Sequence, residues 1–267
     1  MRIPIWQVDA FADRVFAGNP AAVCALDAWL PDETLRAIAA ENALSETAFL
    51  VREGDGYAIR WFTPEVEVDL CGHATLAAGF VVLARLEPGR AAVTFRSRSG
   101  PLGVALGEVG RLVMTLPRRP AVPIEPPELL LRALGRRPLA TLRARDLVAV
   151  LESEDAVRAA TPELAAVAAL DAEGLAITAP GSRGADFVSR YFAPQAGLPE
   201  DPVTGSAHCT LAPYWAARLG RCRLLAHQVS RRGGVLECEV RDDAVVLAGR
   251  VAPYLAGELE LPDGAAR

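Results

Sequence analysis

The densest chemistry in this chain lies in three short segments. Asn42-Ala43-Leu44-Ser45-Glu46-Thr47-Ala48-Phe49 puts a single carboxylate, Glu46, where an apolar strand begins after a helix. Burial disfavours the charged form of a carboxyl group, and a general acid–base works best with a pKa near the working pH, so Glu46 is a candidate proton carrier. A helix cap or a surface carboxylate would use the same residue type. Cys71-Gly72-His73-Ala74-Thr75-Leu76-Ala77 opens an apolar helix with His73 beside Gly72. The positive end of the helix dipole lowers a histidine pKa there and favours the neutral, hydrogen-bonding ring. In Glu200-Asp201-Pro202-Val203-Thr204-Gly205-Ser206 the proline fixes an extended backbone before it, which gives the Asp201 carboxylate a reproducible direction. Ser206 adds a hydroxyl and a backbone N–H beside a second helix start. An ordinary Asp–Pro turn with a serine cap is the plainer alternative.

Gly72 and Gly205 each stand where a helix begins. The first N–H groups of a helix have no intrahelical partner, the dipole adds positive charge, and glycine allows a ligand to approach the backbone. Two such starts facing each other could grip a carboxylate or a developing enolate. Close helix packing would also select small residues there. The chain has three histidines. His208 sits one turn into its helix and reads as packing, and His227 sits in a strand-like segment and reads as structural. No His/Cys pair falls at a familiar zinc-ligand spacing around either motif, so no metal site is expected.

The elements that must position these residues can be read from pattern. Ile3–Asp9 and Ala21–Leu26 are strand candidates around the Ala17-Gly18-Asn19-Pro20 turn. Pro31–Ala43 places Leu35, Ile38 and Ala39 on one helical face. Strands are expected at 46–52 and 57–62, a long apolar helix at 74–86, and further strands near 91–97, 102–107 and 111–116. Prolines at 117, 120, 123, 126 and 127 mark a stiff linker. Beyond it the pattern repeats. Arg60-Trp61-Phe62-Thr63-Pro64 leads to Gly72 and an apolar helix, and Arg190-Tyr191-Phe192-Ala193-Pro194 leads to Gly205 and another. The spacing of about 130 residues points to an internal duplication, with domains at 1–117 and 118–267 and the last strand free to pack back on the first.

Composition removes whole classes of function. The chain of 267 residues has no lysine, so all 28 of its basic residues are arginines. Schiff-base and ordinary PLP chemistry need a lysine amine, and so does a Walker-type phosphate loop. A formal charge of −5 gives no basic footprint for nucleic acid. No apolar run is long enough for a membrane span, and Met1 to Asp9 reads as a strand rather than a leader. Five scattered cysteines suit a reduced, cytoplasmic protein.

The segments Asp9-Ala10-Phe11, Gly18-Asn19-Pro20, Asn42 to Phe49, Cys71 to Leu76 and Asp201 to Cys209 together resemble the PhzF-type phenazine-biosynthesis family, in its order and over nearly the whole chain. The resemblance implies an α+β fold of the diaminopimelate-epimerase type. Each of its two similar domains is a curved, barrel-like, mostly antiparallel sheet around a central helix. It implies a homodimer, no cofactor and no metal, and a small carboxylate-bearing substrate isomerised by proton transfer between the domains. In the phenazine enzyme that substrate is a dihydro-hydroxyanthranilate. By the same resemblance Glu46 matches the acid–base, His73 and Asp201 match groups that orient substrate at the catalytic centre, and Gly72, Gly205 and Ser206 match substrate-binding positions.

Three other readings compete. A two-thiol racemase or epimerase on the same fold needs a cysteine on each face of the substrate carbon. Cys71 could be one, but Thr204 occupies the matching place before Gly205, and Cys209 lies beyond the helix start. A catalytically silent binding protein would have no need of Glu46, His73 and Asp201 together. A nucleotide-binding oxidoreductase would need its glycines in a strand–turn–helix, whereas Gly100 to Gly110 lies in strand-like sequence.

Overall fold

A computed structural model describes residues 1–262. The chain divides into two compact units, Met1–Thr115 together with the chain from Ala248 onward, and Leu116–Leu247. The first unit contains β1 (Arg2–Ala10), β2 (Asn19–Leu26), α1 (Asp32–Asn42), β3 (Glu46–Glu53), β4 (Gly56–Phe62), β5 (Glu67–Val68), α2 (Gly72–Val81), β6 (Ala92–Ser97), β7 (Gly100–Leu106) and β8 (Leu112–Pro117). The second contains β9 (Val122–Ile124), α3 (Glu128–Leu134), β10 (Ala140–Arg143), β11 (Leu147–Val150), α4 (Glu154–Ala159), α5 (Leu164–Ala168), β12 (Leu175–Pro180), β13 (Phe187–Ala193), β14 (Leu198–Asp201), α6 (Gly205–Leu219), β15 (Arg223–Gln228), β16 (Gly234–Val240) and β17 (Ala244–Gly249). The last strand, β18 (Val251–Glu260), returns to pair antiparallel with β1. The strand that follows the second unit thus joins the sheet of the first, the placement the sequence left open for it. The proline-rich stretch is also more than a linker, because β9 within it pairs with β10.

The duplication is visible strand by strand. In the first unit the order β18-β1-β2-β3-β4-β6-β7 runs antiparallel, antiparallel, parallel, antiparallel, parallel, antiparallel. In the second, β9-β10-β11-β12-β13-β15-β16 repeats that sequence of pairings. The parallel steps need crossovers, and helices supply them. α1 joins β2 to β3, as α4 and α5 join β11 to β12. α2 lies between β4 and β6, as α6 lies between β13 and β15.

Burial explains the apolar helices. Every residue of α2 except Phe80 is buried, and the helix packs on β1, β2, β3, β7 and β18. A helix hydrophobic on all sides belongs inside its sheet rather than on it. By contrast α1 buries one stripe, Leu35, Ile38 and Ala39, against a cluster that includes Ile5, Cys24, Phe49 and Phe62. Each large side chain fully buried this way contributes roughly 1.5–3 kcal/mol.

A polar device is duplicated as well. Arg60 donates through Nε and Nη2 to both oxygens of Glu67, and its guanidinium lies 5.1 Å from the Phe62 ring centre. Arg190 does the same to Glu200 and lies 5.0 Å from the Phe192 ring centre. A bidentate pair fixes geometry as well as charge. It ties β4 to β5 and β13 to β14, the strands that lead into the two central helices. No helix among the described residues is long and apolar enough to cross a membrane.

Candidate functional site

In the first unit three elements deliver polar side chains to one buried point. The β1–β2 turn needs Gly18, because its φ is +64° and a Cβ there would meet the Ala10 carbonyl oxygen at 2.2 Å. The Asp9 carboxylate accepts the Phe16 N–H at 2.8 Å and holds the same loop closed. Asn19 follows at the start of β2, fully buried. α1 ends in a left-handed Ala43, and Asn42 donates to the Thr47 hydroxyl at 3.0 Å, so the chain turns directly into β3 with Glu46 first. His73 is the second residue of α2, whose start has no side-chain cap.

These residues meet at His73. Glu46 Oε2 lies 3.0 Å from His73 Nε2, Asn19 Nδ2 lies 3.0 Å from Nδ1, and Cys71 Sγ lies 3.5 Å from Nδ1. His73 is 3% and Glu46 7% exposed. Burial opposes a charge on the ring, but the Cys71 sulfur and the Glu46 carboxylate outweigh it and raise the His73 pKa well above its ordinary value. The surroundings of the ring thus act against the lowering expected from the helix start. A carboxylate in direct contact acts more strongly than the partial charge of a helix end. Burial, followed by the Glu46 charge, pushes the Cys71 thiol up to about 11, so the sulfur is protonated at neutral pH.

Glu46, Cys71 and His73 offer ligand atoms within 4.8 Å of one another, close enough to be considered for one ion. The spacing rules applied to the sequence overlooked this trio, because Glu46 comes from a different strand. Cys71 approaches Nδ1 and Glu46 approaches Nε2, so no single nitrogen of His73 serves both.

The second unit holds Asp201, Gly205 and Ser206. Asp201 ends β14, is buried, and accepts a short hydrogen bond from the Thr204 hydroxyl. Gln228 locks this corner, accepting the Thr204 N–H at 2.8 Å and donating to the Asp201 carbonyl at 2.7 Å. Thr204 is the N-cap residue of α6 but gives it no side-chain cap, so this buried helix start is also open. Ser206, second in α6, accepts from Arg145 Nη2 at 3.2 Å. Sequence reasoning named neither Asn19 as a partner of His73 nor Arg145 as a partner of Ser206. Each stands at the entrance to a strand distant in sequence from its helix, with no local signal. His208 lies wholly buried, its Nδ1 2.8 Å from the Thr204 carbonyl, and burial lowers its pKa to about 4.

The two units differ where chemistry is concerned. Thr47 pairs with Phe62 and Leu175 pairs with Phe192, so the residues just before them, Glu46 and Gly174, occupy matching places. A Cβ at Gly174 would meet the Tyr191 hydroxyl at 2.2 Å, which leaves no room for an acid there. Cys71 and Thr204 match as the N-cap residues of α2 and α6.

Comparison with known proteins agrees with this picture. The family described as phenazine biosynthesis-like protein matches residues 8–257. A Pseudomonas aeruginosa protein called an uncharacterized isomerase is 52% identical over 262 residues, covering 98% of this chain and all of that one. The crystal structure of a PhzF-family phenazine biosynthesis protein from Enterococcus faecalis superposes with a TM-score of 0.91 at 46% identity, over 98% of this chain and 100% of that one. A hydroxyproline epimerase from Agrobacterium vitis superposes with a TM-score of 0.64 at 10% identity, over 99% of this chain and 94% of that one. That last likeness speaks to the fold alone, which is the diaminopimelate-epimerase type.

Proposed function

Because the chain belongs to the phenazine biosynthesis-like family, we propose that it is an isomerase that moves a proton within a small carboxylate-bearing metabolite, with Glu46 as the carrier. The observation that carries this reading is the buried contact between Glu46 and His73. A proton carrier must be held in place, shielded from water and balanced electrostatically, and this pair meets each need. His73 lies against the Glu46 carboxylate that takes the substrate proton. When Glu46 gives that proton back at another carbon, the pair returns to its starting charge. The open start of α2 at Gly72 offers backbone donors for negative charge that develops on the substrate in between.

Asp201, Gly205 and Ser206 bind and orient the substrate in this proposal. Asp201 is held by Thr204 and Gln228 so that its carboxylate direction is reproducible. The cycle needs no metal and no cofactor, since an acid–base and positioned donors suffice for proton transfer. Homodimer formation, implied by the sequence resemblance, belongs to the same proposal and is checked by sedimentation.

Two-thiol racemisation finds less support. The Cys71 thiol is protonated at neutral pH, and its counterpart is Thr204, which cannot act as a thiol. Gly174 in place of a second acid also favours one carrier over two.

The test is turnover and solvent-deuterium incorporation across a panel of small carboxylic acids that includes the dihydro-hydroxyanthranilate, in wild type and in Glu46→Gln. Removing a general acid–base costs about 10²–10⁴-fold, so the variant should fall by at least the lower figure. Equal rates in the two proteins would remove Glu46 from the mechanism.

A further inference from the structure

The polar groups beside α6 go further than Ser206. Pro213 lies inside this helix and has no N–H to give the Cys209 carbonyl one turn back. The backbone N–H of Arg119 takes that acceptor instead, at 3.0 Å. A proline inside a helix thus pins the proline-rich segment alongside it and brings Arg119 with it. Arg119 Nη1 is buried and meets no hydrogen-bond partner among the described residues. On the other side Arg145, at the entrance to β11, reaches Ser206 Oγ with Nη2.

The details of Arg145 point its donors in a useful direction. Its Nε faces Glu173 Oε2 at 3.0 Å and Asp146 Oδ1 at 3.7 Å. Glu173 is largely exposed, and the Asp146 carboxylate also accepts the Tyr191 hydroxyl at 2.8 Å. The acids lie along the Nε edge, whose N–H makes no hydrogen bond among the described residues, while Nη2 lies toward the helix start. Ser206 Oγ spends a lone pair on Arg145, which leaves its own O–H free to donate elsewhere. The uncapped start of α6 adds backbone N–H donors beside it.

We propose that Arg145 is a specificity-determining residue that selects an anionic group on the substrate, held jointly by its guanidinium, the Ser206 hydroxyl and the open first turn of α6. The assignment rests on the reading of this chain as an isomerase of a carboxylate-bearing metabolite, and it names the group that recognises the carboxylate. A planar guanidinium matches a carboxylate through two parallel N–H donors and gains little from an uncharged amide of the same shape. The first unit has a related contact, from Asn19 at the start of β2 to His73, the second residue of α2. There a neutral amide meets a histidine. In the second unit a guanidinium, charged at any working pH, meets a serine whose own O–H can donate.

The experiment compares small aromatic acids with their primary amides, benzoate with benzamide and 2-aminobenzoate with 2-aminobenzamide. Binding is measured by calorimetry in wild type, Arg145→Gln, Arg145→Lys and Glu46→Gln. Wild type should prefer each acid by about tenfold or more, the range of a charge-assisted bidentate contact. Arg145→Gln should bring acid and amide to within about threefold of each other, and Arg145→Lys should recover part of the preference as a point charge. Glu46→Gln should keep the full preference. A thermal melt of each variant confirms folding, and the Lys variant covers the case in which Gln unfolds the site. A preference that survives Arg145→Gln overturns the proposal, and so does a wild type that binds the amides as well as the acids. Loss of the acid preference in Arg145→Gln, together with unchanged proton exchange in Glu46→Gln, would uphold this assignment while removing the isomerase reading.

Discussion

Replacing Glu46 by Gln tests the electrostatics of the His73 cluster with little change of shape. Glu46 Oε2 and His73 Nε2 are 3.0 Å apart and both side chains are nearly inaccessible. At an effective dielectric of about 20, opposite unit charges at that distance attract by roughly 5 kcal/mol before desolvation is subtracted. Removing one partner of a buried pair costs about 3–5 kcal/mol, and the histidine left behind can shed its proton, which lowers that loss. The dependence on pH carries the stronger test. His73 has a folded-state pKa well above its ordinary 6.5, so its contribution is complete below 6.5 and is lost as pH rises through the raised value. In Glu46→Gln the buried ring has no such partner. The stability gap between wild type and variant should therefore be widest at and below pH 6, then narrow by up to about 1.4 kcal/mol per unit of pH above 6.5. Urea unfolding at pH 6, 7.5 and 9 measures it. A gap that is constant or that grows with pH would show that His73 is not a charged partner of Glu46.

Three further outcomes follow from the packing and from a second histidine. Gly174→Ala should destabilise by about 1–3 kcal/mol in a thermal melt, because its Cβ would meet the Tyr191 hydroxyl at 2.2 Å and push it from Asp146. Gly79→Ala drives a Cβ to 2.4 Å from Val104 Cγ1, at a cost of similar size. Adding Val104→Ala should recover part of it in a double-mutant cycle. Burial holds the His208 pKa at about 4 against an ordinary 6.5, so the unfolded chain takes a proton that the folded one refuses. Stability should be complete above pH 6.5 and fall by roughly 3 kcal/mol as pH drops toward 4, and His208→Gln should lack that share of the acid loss.

Much of this was legible in the sequence where local pattern and tertiary need coincide. The all-apolar run after Gly72 could only be an interior helix, and the repeated Arg-aromatic-Phe-x-Pro segments gave away the duplication, because both arginines serve one paired-strand device. What pattern could not supply was contact between distant segments. Asn19 reaches His73 across 54 residues and Arg145 reaches Ser206 across 61, and neither residue stands out among its neighbours. The direction of the His73 shift escaped the sequence for the same reason. Its nearest sequence feature is a helix start, which favours the neutral ring, while the decisive carboxylate arrives on another strand. The closing strand β18 was ambiguous because nothing in Val251–Glu260 states which sheet it completes.

The two units show which positions serve the fold and which serve chemistry. Strand order and direction match, and so do the Arg60–Glu67 and Arg190–Glu200 pairs, since both units must build a sheet around a helix. Differences gather at the helix starts and the strand ends beside them. Glu46 faces a glycine counterpart, Cys71 a threonine, and His73 a serine. Packing alone does not account for this, because most of these positions are buried in both units and the surrounding cores are similarly apolar. A fold-only constraint would let the two starts drift toward any small residues. Instead one unit keeps an acid paired with an imidazole, while the other excludes an acid sterically and sets a guanidinium beside a hydroxyl. In the proposed reaction that difference separates the proton carrier from the anion-binding group, as a one-carrier isomerisation requires. A two-base racemisation would require equivalent groups in both units.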